Sequence, residues 1–365
     1  MSLSQIQGTM PLVIGLATVI SFTIAWLLKT YALTKAILLD QPGGRKMHME
    51  ATPVIGGLAI FGTFYGLVAW QDISLITGYW PLMVGVLGMV MLGVVDDIVN
   101  MKASTKLIIQ IGIAIVSLMA SLQTLSEGPL SGYLVLFPIL VFCMATFINA
   151  FNMTDGIDGL AGSLALVTVL PLGVIAAKYE SPDIVMLLGT LAGSVIGFLM
   201  HNARSPWRKK ASVFMGDAGS LTLGFVLSWF CLKIWDMTAT LDNPVPLSVL
   251  MWVLAYPTMD AALVALRRIL AGKHPFHPDR THLHHYLAQL NCSVSFIVSA
   301  IVAISVIYTF IGFALWRNNV SELSSILLLF AGFISYGIII KVMLEPAAEK
   351  RQSNQFNIQD PYKPS

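Results

Sequence analysis

Long apolar stretches alternate with short polar connections along most of the chain. An α-helix needs about 20 apolar residues to cross a bilayer, and eleven stretches come close to that length. They cover approximately residues 11–28, 53–70, 80–95, 105–122, 133–150, 160–177, 184–201, 219–235, 246–266, 293–315 and 321–343. The pattern predicts an all-α polytopic membrane protein with about eleven transmembrane helices.

Basic residues predict the orientation of these helices, because cytoplasmic loops carry an excess of lysine and arginine. Of the 21 lysines and arginines, only Lys178, Lys233 and Arg317 fall in one set of alternate loops, and the rest fall in the other set. We therefore expect a periplasmic N-terminus and a cytoplasmic C-terminus, which agrees with an odd number of spans.

Composition supports this class. The chain has 365 residues, of which 56% are hydrophobic and 11% charged, against about 25% charged in soluble domains. A net charge of +2 gives no reason to expect a nucleic-acid partner. The three cysteines lack CxxC spacing, and the N-terminus lacks the features of a cleavable signal peptide. We expect a single transmembrane domain over residues 1–343 and a polar cytoplasmic tail over 344–365.

Four polar clusters fall in loops on the predicted cytoplasmic side. They are Asp96–Asp97, residues 149–159, residues 215–220 and residues 278–285. Ionisable groups next to lipid are costly and therefore indicate a functional site. Carboxylates suit Mg²⁺, and Mg²⁺ suits phosphate groups, so the clusters predict phosphate chemistry at a membrane surface.

The two acidic loops each allow a structural interpretation as well. Asp96 and Asp97 end an apolar stretch, where acids oppose the helix dipole, and nearby Lys102 and Lys106 would suit an ordinary solvated helix end. Residues 155–159 form a glycine-rich acidic turn without the spacing of a calcium-binding EF-hand. Asn149 and Asn152 are three residues apart, so a helix would turn both toward one site.

Asp217 and the histidine segment also have alternatives. Asp217 lies between glycines before an apolar stretch, where it would act either as a helix cap or as a metal ligand. Five of the seven histidines lie within residues 274–285, where phosphate binding, zinc binding and a solvated loop are all conceivable. Asp260 is the one acid well inside a predicted span, where it would brace the site or pair with a basic residue.

Taken together, the motifs resemble the polyprenyl-phosphate N-acetylhexosamine-1-phosphate transferase family. The resemblance covers about residues 35–343 and is carried by residues 149–160 (NAFNMTDGIDGL), 213–220 (VFMGDAGS) and 277–285 (HPDRTHLHH). The order and spacing resemble the branch that transfers N-acetylglucosamine 1-phosphate rather than the branch that handles the muramyl-pentapeptide precursor. Family members often carry DDxxD, whereas Asn100 stands at the last position here.

The resemblance implies a reaction and its site. UDP-N-acetylglucosamine would donate its sugar 1-phosphate to undecaprenyl phosphate in the bacterial inner membrane, with Mg²⁺, or Mn²⁺, as cofactor. Catalysis would fall to Asp96 and Asp97, and metal binding to Asp217 and Asp97. The implied substrate-binding residues are Lys46, His48, Lys106, Asn149, Asn152, Asp155, Asp158, Arg280, His282, His284 and His285. A homodimer is compatible with this resemblance.

The chemistry leaves two routes open. The lipid phosphate would attack the β-phosphorus of the donor directly, or the reaction would pass through a phospho-aspartyl enzyme. A relative that uses another UDP-sugar is the alternative within the enzyme class. The rival from another class is an ion-coupled transporter, although its ionisable residues would lie near the bilayer midplane on broken or repeated helices.

Overall fold

The structure, a computed structural model, describes residues 3–40, 51–122, 130–274 and 281–351, with side chains from residue 8 and, after the second gap, from residue 134. Fourteen α-helices lie in these ranges, and they run as follows: α1 Leu3–Lys35, α2 Gly56–Gln71, α3 Ile73–Gly78, α4 Trp80–Val99, α5 Ala103–Ser121, α6 Leu130–Thr154, α7 Leu160–Lys178, α8 Pro182–Asn202, α9 Asp217–Thr238, α10 Leu247–Val253, α11 Ala255–Leu270, α12 Leu283–Gln289, α13 Val294–Arg317 and α14 Glu322–Ile339. Strands β1 (Leu39–Asp40) and β2 (Thr52–Pro53) form a small antiparallel pair.

The predicted class is confirmed: the chain is an all-α polytopic membrane protein. Within the described residues, nine helices are long and apolar enough to cross a membrane. Each of the eleven predicted stretches corresponds to a helix or to a helix pair. Helix α2 has 16 residues and is therefore about 24 Å long at 1.5 Å per residue.

The prediction of one unbroken span over 246–266 is wrong. This stretch forms α10 and α11, which meet at Leu254 with a bend of 76°. Pro257 lies in the first turn of α11, where its ring leaves no N–H for the backbone of the preceding helix and clashes with it. The helix therefore ends before the proline and restarts in a new direction.

The last helix continues past the predicted end of its span. A π-helical turn, Ile340–Leu344, follows α14, and the helical segment extends to Arg351. Part of the sequence expected to form a polar tail is therefore helical, while residues 352–365 lie outside the described part of the chain. Glu345 of this extension pairs with Arg267 of α11, and the Arg351 guanidinium donates to the Leu290 carbonyl at 2.9 Å.

Helices α8 and α9 are the most buried spans and form the centre of the bundle. Glycines let α1 approach α8 closely: a Cβ on Gly193 would lie 2.5 Å from the Ile14 carbonyl, and one on Gly197 would lie 2.4 Å from the Thr18 carbonyl. The Ser21 hydroxyl then donates to the Ser194 carbonyl at 2.6 Å. Small residues at such spacing let membrane helices pack backbone to backbone.

The start of α2 is tied to the turn that precedes α9. The N–H groups of Gly56 and Gly57 donate to the carbonyls of Phe214 and Met215, each at 2.9 Å. A Cβ on Gly57 would lie 2.2 Å from the Gly219 nitrogen. These contacts hold the N-terminus of α9 in place, and the polar clusters gather around it.

Candidate active site

A cluster of charged groups joins the ends of four helices. The Lys106 ammonium at the start of α5 lies 2.7 Å from a carboxylate oxygen of Asp96 and 2.7 Å from one of Asp217. The Asn152 amide at the end of α6 donates to the other Asp217 oxygen at 2.9 Å and to the Ser220 hydroxyl at 2.8 Å. The structure therefore brings together polar residues from three separate predicted motifs and Lys106.

Asp97 caps the helix that begins with Asp217. Its carboxylate accepts hydrogen bonds from the backbone N–H groups of Asp217 and Ala218, at 3.0 and 3.3 Å. Residue Gly216 precedes α9 and provides no side-chain cap. The first N–H groups of a helix have no hydrogen-bond acceptor within the helix. Here the Asp97 carboxylate of α4 is the acceptor for two of them. Asp217 itself is thereby left to face Lys106 and Asn152.

Two glycines make this crossing possible. Gly216 has φ of 73°, and a Cβ there would lie 2.7 Å from an Asp97 carboxylate oxygen. A Cβ on Gly93 would lie 2.2 Å from the Ala218 nitrogen. Only glycine adopts such a φ without strain, and only glycine lets α4 come this close to the start of α9.

The acidic turn after α6 packs beside the cluster. Burial raises the pKa of Asp155 to about 7, and the nearby negative charges of Asp217, Asp97 and Asp158 add to the effect. One Asp158 oxygen accepts hydrogen bonds from the Arg204 guanidinium at 2.7 Å and from the Ala211 N–H at 3.2 Å. Asp158 thus fastens the loop between α8 and α9 to this turn, a role that its motif did not indicate.

The two predicted asparagines contact different helices. Asn152 reaches Asp217 on α9, whereas the Asn149 amide donates to Gln110 of α5 at 2.7 Å and to the Ala145 carbonyl at 2.8 Å. Gln110 is fully buried and has an amide nitrogen with no hydrogen-bond partner among the described residues. In the sequence, Gln110 is marked only as a single amide within an apolar stretch.

The histidines of α12 and its N-terminal cap form a compact group. The ring centroid of His284 lies 4.2 Å from that of His285 and 5.5 Å from that of His282. Burial lowers the pKa of His284 to about 3, helped by the neighbouring imidazoles of His285 and His282. A Cβ on Gly156 would lie 2.6 Å from Nε2 of His284, so the histidine group abuts the acidic turn.

Three predicted site residues, Lys46, His48 and Arg280, lie outside the described residues. Their predicted contacts to substrate remain predictions. Among the residues that are described, no three His, Cys, Asp or Glu side chains lie close enough together to hold a metal ion. The zinc alternative for the histidines gains no support from those residues.

The acidic cluster contains carboxylates of the type that bind Mg²⁺ together with substrate oxygens. Mg²⁺ commonly takes one or two protein carboxylates and completes its shell with water and phosphate oxygens. Asp217 already holds a cation, the Lys106 ammonium, against one oxygen. Asp97 is occupied by two backbone N–H groups, so its predicted part in metal binding stays a prediction.

Comparison with known proteins identifies the family. The model of glycosyl transferase family 4 matches residues 79–234, which include Asp96, Asp97, Lys106, Asn152 and Asp217. A probable undecaprenyl-phosphate N-acetylglucosaminyl 1-phosphate transferase of Bacillus subtilis (strain 168) is 32% identical over 279 residues, covering 74% of this chain and 75% of the relative. The chain belongs to glycosyl transferase family 4.

Other relatives match over more of the chain. The undecaprenyl-phosphate alpha-N-acetylglucosaminyl 1-phosphate transferase of Yersinia pestis is 30% identical and covers 83% of this chain and 84% of its own. The protein of the same description from Escherichia coli O157:H7 is 29% identical over 338 residues, 89% of this chain and 90% of its own. The chain is therefore a membrane transferase of family 4, as the motifs predicted.

Proposed function

We propose that this family 4 transferase moves N-acetylglucosamine 1-phosphate from UDP-N-acetylglucosamine to undecaprenyl phosphate. The active site would face the cytoplasm at the bacterial inner membrane, and the product would start O-antigen or enterobacterial common antigen synthesis. The observation that carries the proposal is the convergence of Asp96, Lys106, Asn152 and Asp217 at one end of the bundle. The names of the relatives, which are undecaprenyl-phosphate N-acetylglucosaminyl 1-phosphate transferases, support this choice of sugar and lipid.

The reaction exchanges one phosphorus–oxygen bond for another. An oxygen of the lipid phosphate attacks the β-phosphorus of the donor, and the bond from that phosphorus to the oxygen of UMP breaks in line with the attack. UMP leaves with the bonding electron pair, and the sugar remains on a diphosphate linked to the lipid. Both reactants are anions, so bringing them together is mainly a problem of charge.

The residues of the cluster would solve that problem by position and charge. Lys106 holds positive charge between two carboxylates, and these ion pairs would keep its ammonium in place beside the diphosphate. Asp97 fixes the N-terminus of α9, whose positive dipole end favours anions. Asp217 would hold Mg²⁺ or Mn²⁺, assisted by substrate oxygens, and the ion would neutralise the diphosphate. Histidines 282, 284 and 285 would border the leaving UMP.

A release assay tests the proposal. Purified protein in detergent, with Mg²⁺ and undecaprenyl phosphate, is expected to release UMP from UDP-N-acetylglucosamine. UDP-N-acetylgalactosamine and the muramyl-pentapeptide nucleotide serve as competing donors. Asp217→Asn should abolish release, whereas Asp236→Asn, which changes a buried acid at the other end of the same helix, should leave it largely intact.

The result also decides between classes of protein. Release with a different donor would keep the reaction and change the sugar. The broken helix pair α10–α11 carries the buried acid Asp260, a feature shared with ion-coupled transporters. Folded protein that neither releases UMP nor binds any of the three donors would contradict the transferase proposal and favour transport.

A further inference from the structure

Asp260 forms three hydrogen bonds, two with the neighbouring residues His282 and Leu283 and one with Tyr336. Asp260 is 2% exposed and lies on α11, just after the break in the helix. One carboxylate oxygen lies 2.7 Å from Nδ1 of His282. The other oxygen accepts from the Tyr336 hydroxyl of α14 at 2.6 Å and from the Leu283 N–H at 3.1 Å.

These contacts fix which nitrogen of His282 carries a proton. Three hydrogen-bond donors around one carboxylate favour its ionised form, which only accepts hydrogen bonds. The second oxygen then accepts from Nδ1–H of His282, and this bond assigns the neutral imidazole to the Nδ1-protonated tautomer. Nε2 remains as the ring nitrogen that is able to meet a ligand.

The same contacts also fix the place of the imidazole. His282 is 5% exposed and its ring stacks parallel to His284, with 12° between the ring planes. His284 in turn packs on Gly156 in the acidic turn. The carboxylate of α11 and the hydroxyl of α14 are therefore linked, through two rings, to the loop beside Asp217.

We propose that Asp260 and Tyr336 are positioning residues, which hold His282 so that Nε2 faces the diphosphate of the nucleotide-sugar donor. Neither residue would touch the reacting atoms. The break before α11 is part of this arrangement, because it redirects the helix that carries Asp260. The inference rests on the proposed function, but the tautomer of His282 can be measured without turnover.

The experiment uses full-length protein labelled with ¹⁵N-histidine in detergent. The ¹⁵N chemical shifts report which ring nitrogen is protonated, and His282→Gln identifies the signal. Asp260→Asn places an amide N–H opposite Nδ1, so the His282 signal is expected to change to the Nε2-protonated tautomer. Turnover should fall roughly 10- to 100-fold, as is typical when the carboxylate behind a functional histidine is removed, with a smaller change in KM for the donor.

Two conservative variants separate positioning from folding. Asp260→Glu keeps the carboxylate and should restore the wild-type tautomer and part of the turnover. Tyr336→Phe keeps the shape of the side chain and should lower kcat by a smaller factor. Tyr179→Phe is its matched control, because the Tyr179 hydroxyl also donates a hydrogen bond, to the Asn243 carbonyl, far along the chain from this site.

Each outcome decides the matter. A folded Asp260→Asn variant that keeps the wild-type tautomer, or that changes tautomer without losing turnover, overturns the proposal. Should Asp260→Asn fail to fold, a folded Tyr336→Phe variant with full turnover overturns it, and reduced kcat with unchanged thermal stability supports it. Absence of UMP release in the wild type, with the tautomer shift still present in Asp260→Asn, would instead refute the proposed function.

Discussion

Adjacent residues of the cluster have different partners and therefore different structural roles. Asp96 and Asp97 are adjacent, yet Asp96 binds Lys106 and the Met101 N–H, while Asp97 caps α9. The residue types and their gathering on one side were predictable, because charged groups in an apolar chain stand out. The pairings with Asp217 were not, because Asp97 and Lys106 each lie more than a hundred positions from it.

Lys106 is the residue whose loss should change the cluster most. Lys106→Met leaves Asp96 and Asp217 without their shared cation, which should cost about 1–3 kcal/mol of folding free energy and abolish most UMP release. Mg²⁺ should then raise the melting temperature of the variant more than that of the wild type, since the ion replaces the missing charge. Thermal unfolding with and without Mg²⁺ measures this effect.

Lys102→Met provides the matched control for that variant. Lys102 is exposed at the residue before α5, only one helical turn from Lys106. It should leave turnover, stability and the Mg²⁺ response close to wild type. Equal behaviour of the two variants would contradict the bridging role of Lys106.

Asp155 should make stability depend on pH. Its pKa of about 7 in the folded protein lies above the ordinary value of 3.8 for an aspartate, so the folded state binds the proton more tightly than the unfolded state. Stability is therefore expected to fall as pH rises between these values and to stay lower above pH 7. Asp155→Asn removes the carboxyl. The stability of this variant relative to that of the wild type should therefore be greater at pH 8 than at pH 5.

Melting temperatures measured in EDTA from pH 5 to pH 8.5 check this prediction. Asp183→Asn, an exposed acid in the first turn of α8, serves as the control. Curves for wild type and Asp155→Asn that stay parallel over the whole range would show that Asp155 is not perturbed in this way.

At the scale of elements, the periodic apolar pattern predicts the helices well and their interruptions poorly. Every predicted stretch became helical, but the break at Leu254 was missed although Pro257 is visible in the sequence. Proline also occurs inside α6 and α7, at Pro138 and Pro171, and both helices continue through it without a break. A proline alone therefore does not tell a continuous helix from a break, because neighbouring helices decide the outcome.

The crossing of α4 and α9 depends on a missing side chain. Gly93→Ala should push the helices apart, break the Asp97 cap and destabilise the protein by roughly 1–3 kcal/mol, with a marked loss of UMP release. Gly62→Ala adds the same methyl group to α2, where nothing lies within 4 Å of the new Cβ. That control should be neutral or slightly stabilising. Denaturation in detergent compares the two, and equal stability would contradict the tight crossing.

At the scale of the whole molecule, the basic residues predict that the two termini lie on opposite sides of the membrane. With eleven segments, this prediction requires all of them to cross. The structure shows the acidic ends of α4 and α6 meeting the starts of α5 and α9, so these ends share one side. Which side faces the cytoplasm follows from charge alone. Helix α2, with 16 residues, is shorter than each of the nine described helices that are long and apolar enough to cross, which makes it the critical segment for the count.

Cysteine labelling in whole cells tests the orientation. In a variant without the native Cys143, Cys231 and Cys292, a cysteine replacing Trp207, which is 93% exposed, should react with an impermeant maleimide only after the membrane is opened. A cysteine replacing the exposed Asn318 should react in intact cells. The reverse pattern, or reaction of both in intact cells, would refute the predicted topology.

The contacts behind His282 have a consequence for biosynthesis. Tyr336 and Glu345, which hold Asp260 and Arg267, are translated after every acidic residue of the cluster and after α12 itself. During synthesis on the ribosome, the acidic groups can assemble while the histidines still lack their support from α14. A chain whose translation stops before Tyr336 would therefore carry the residues of the acidic cluster but lack the hydroxyl that supports Asp260 behind His282.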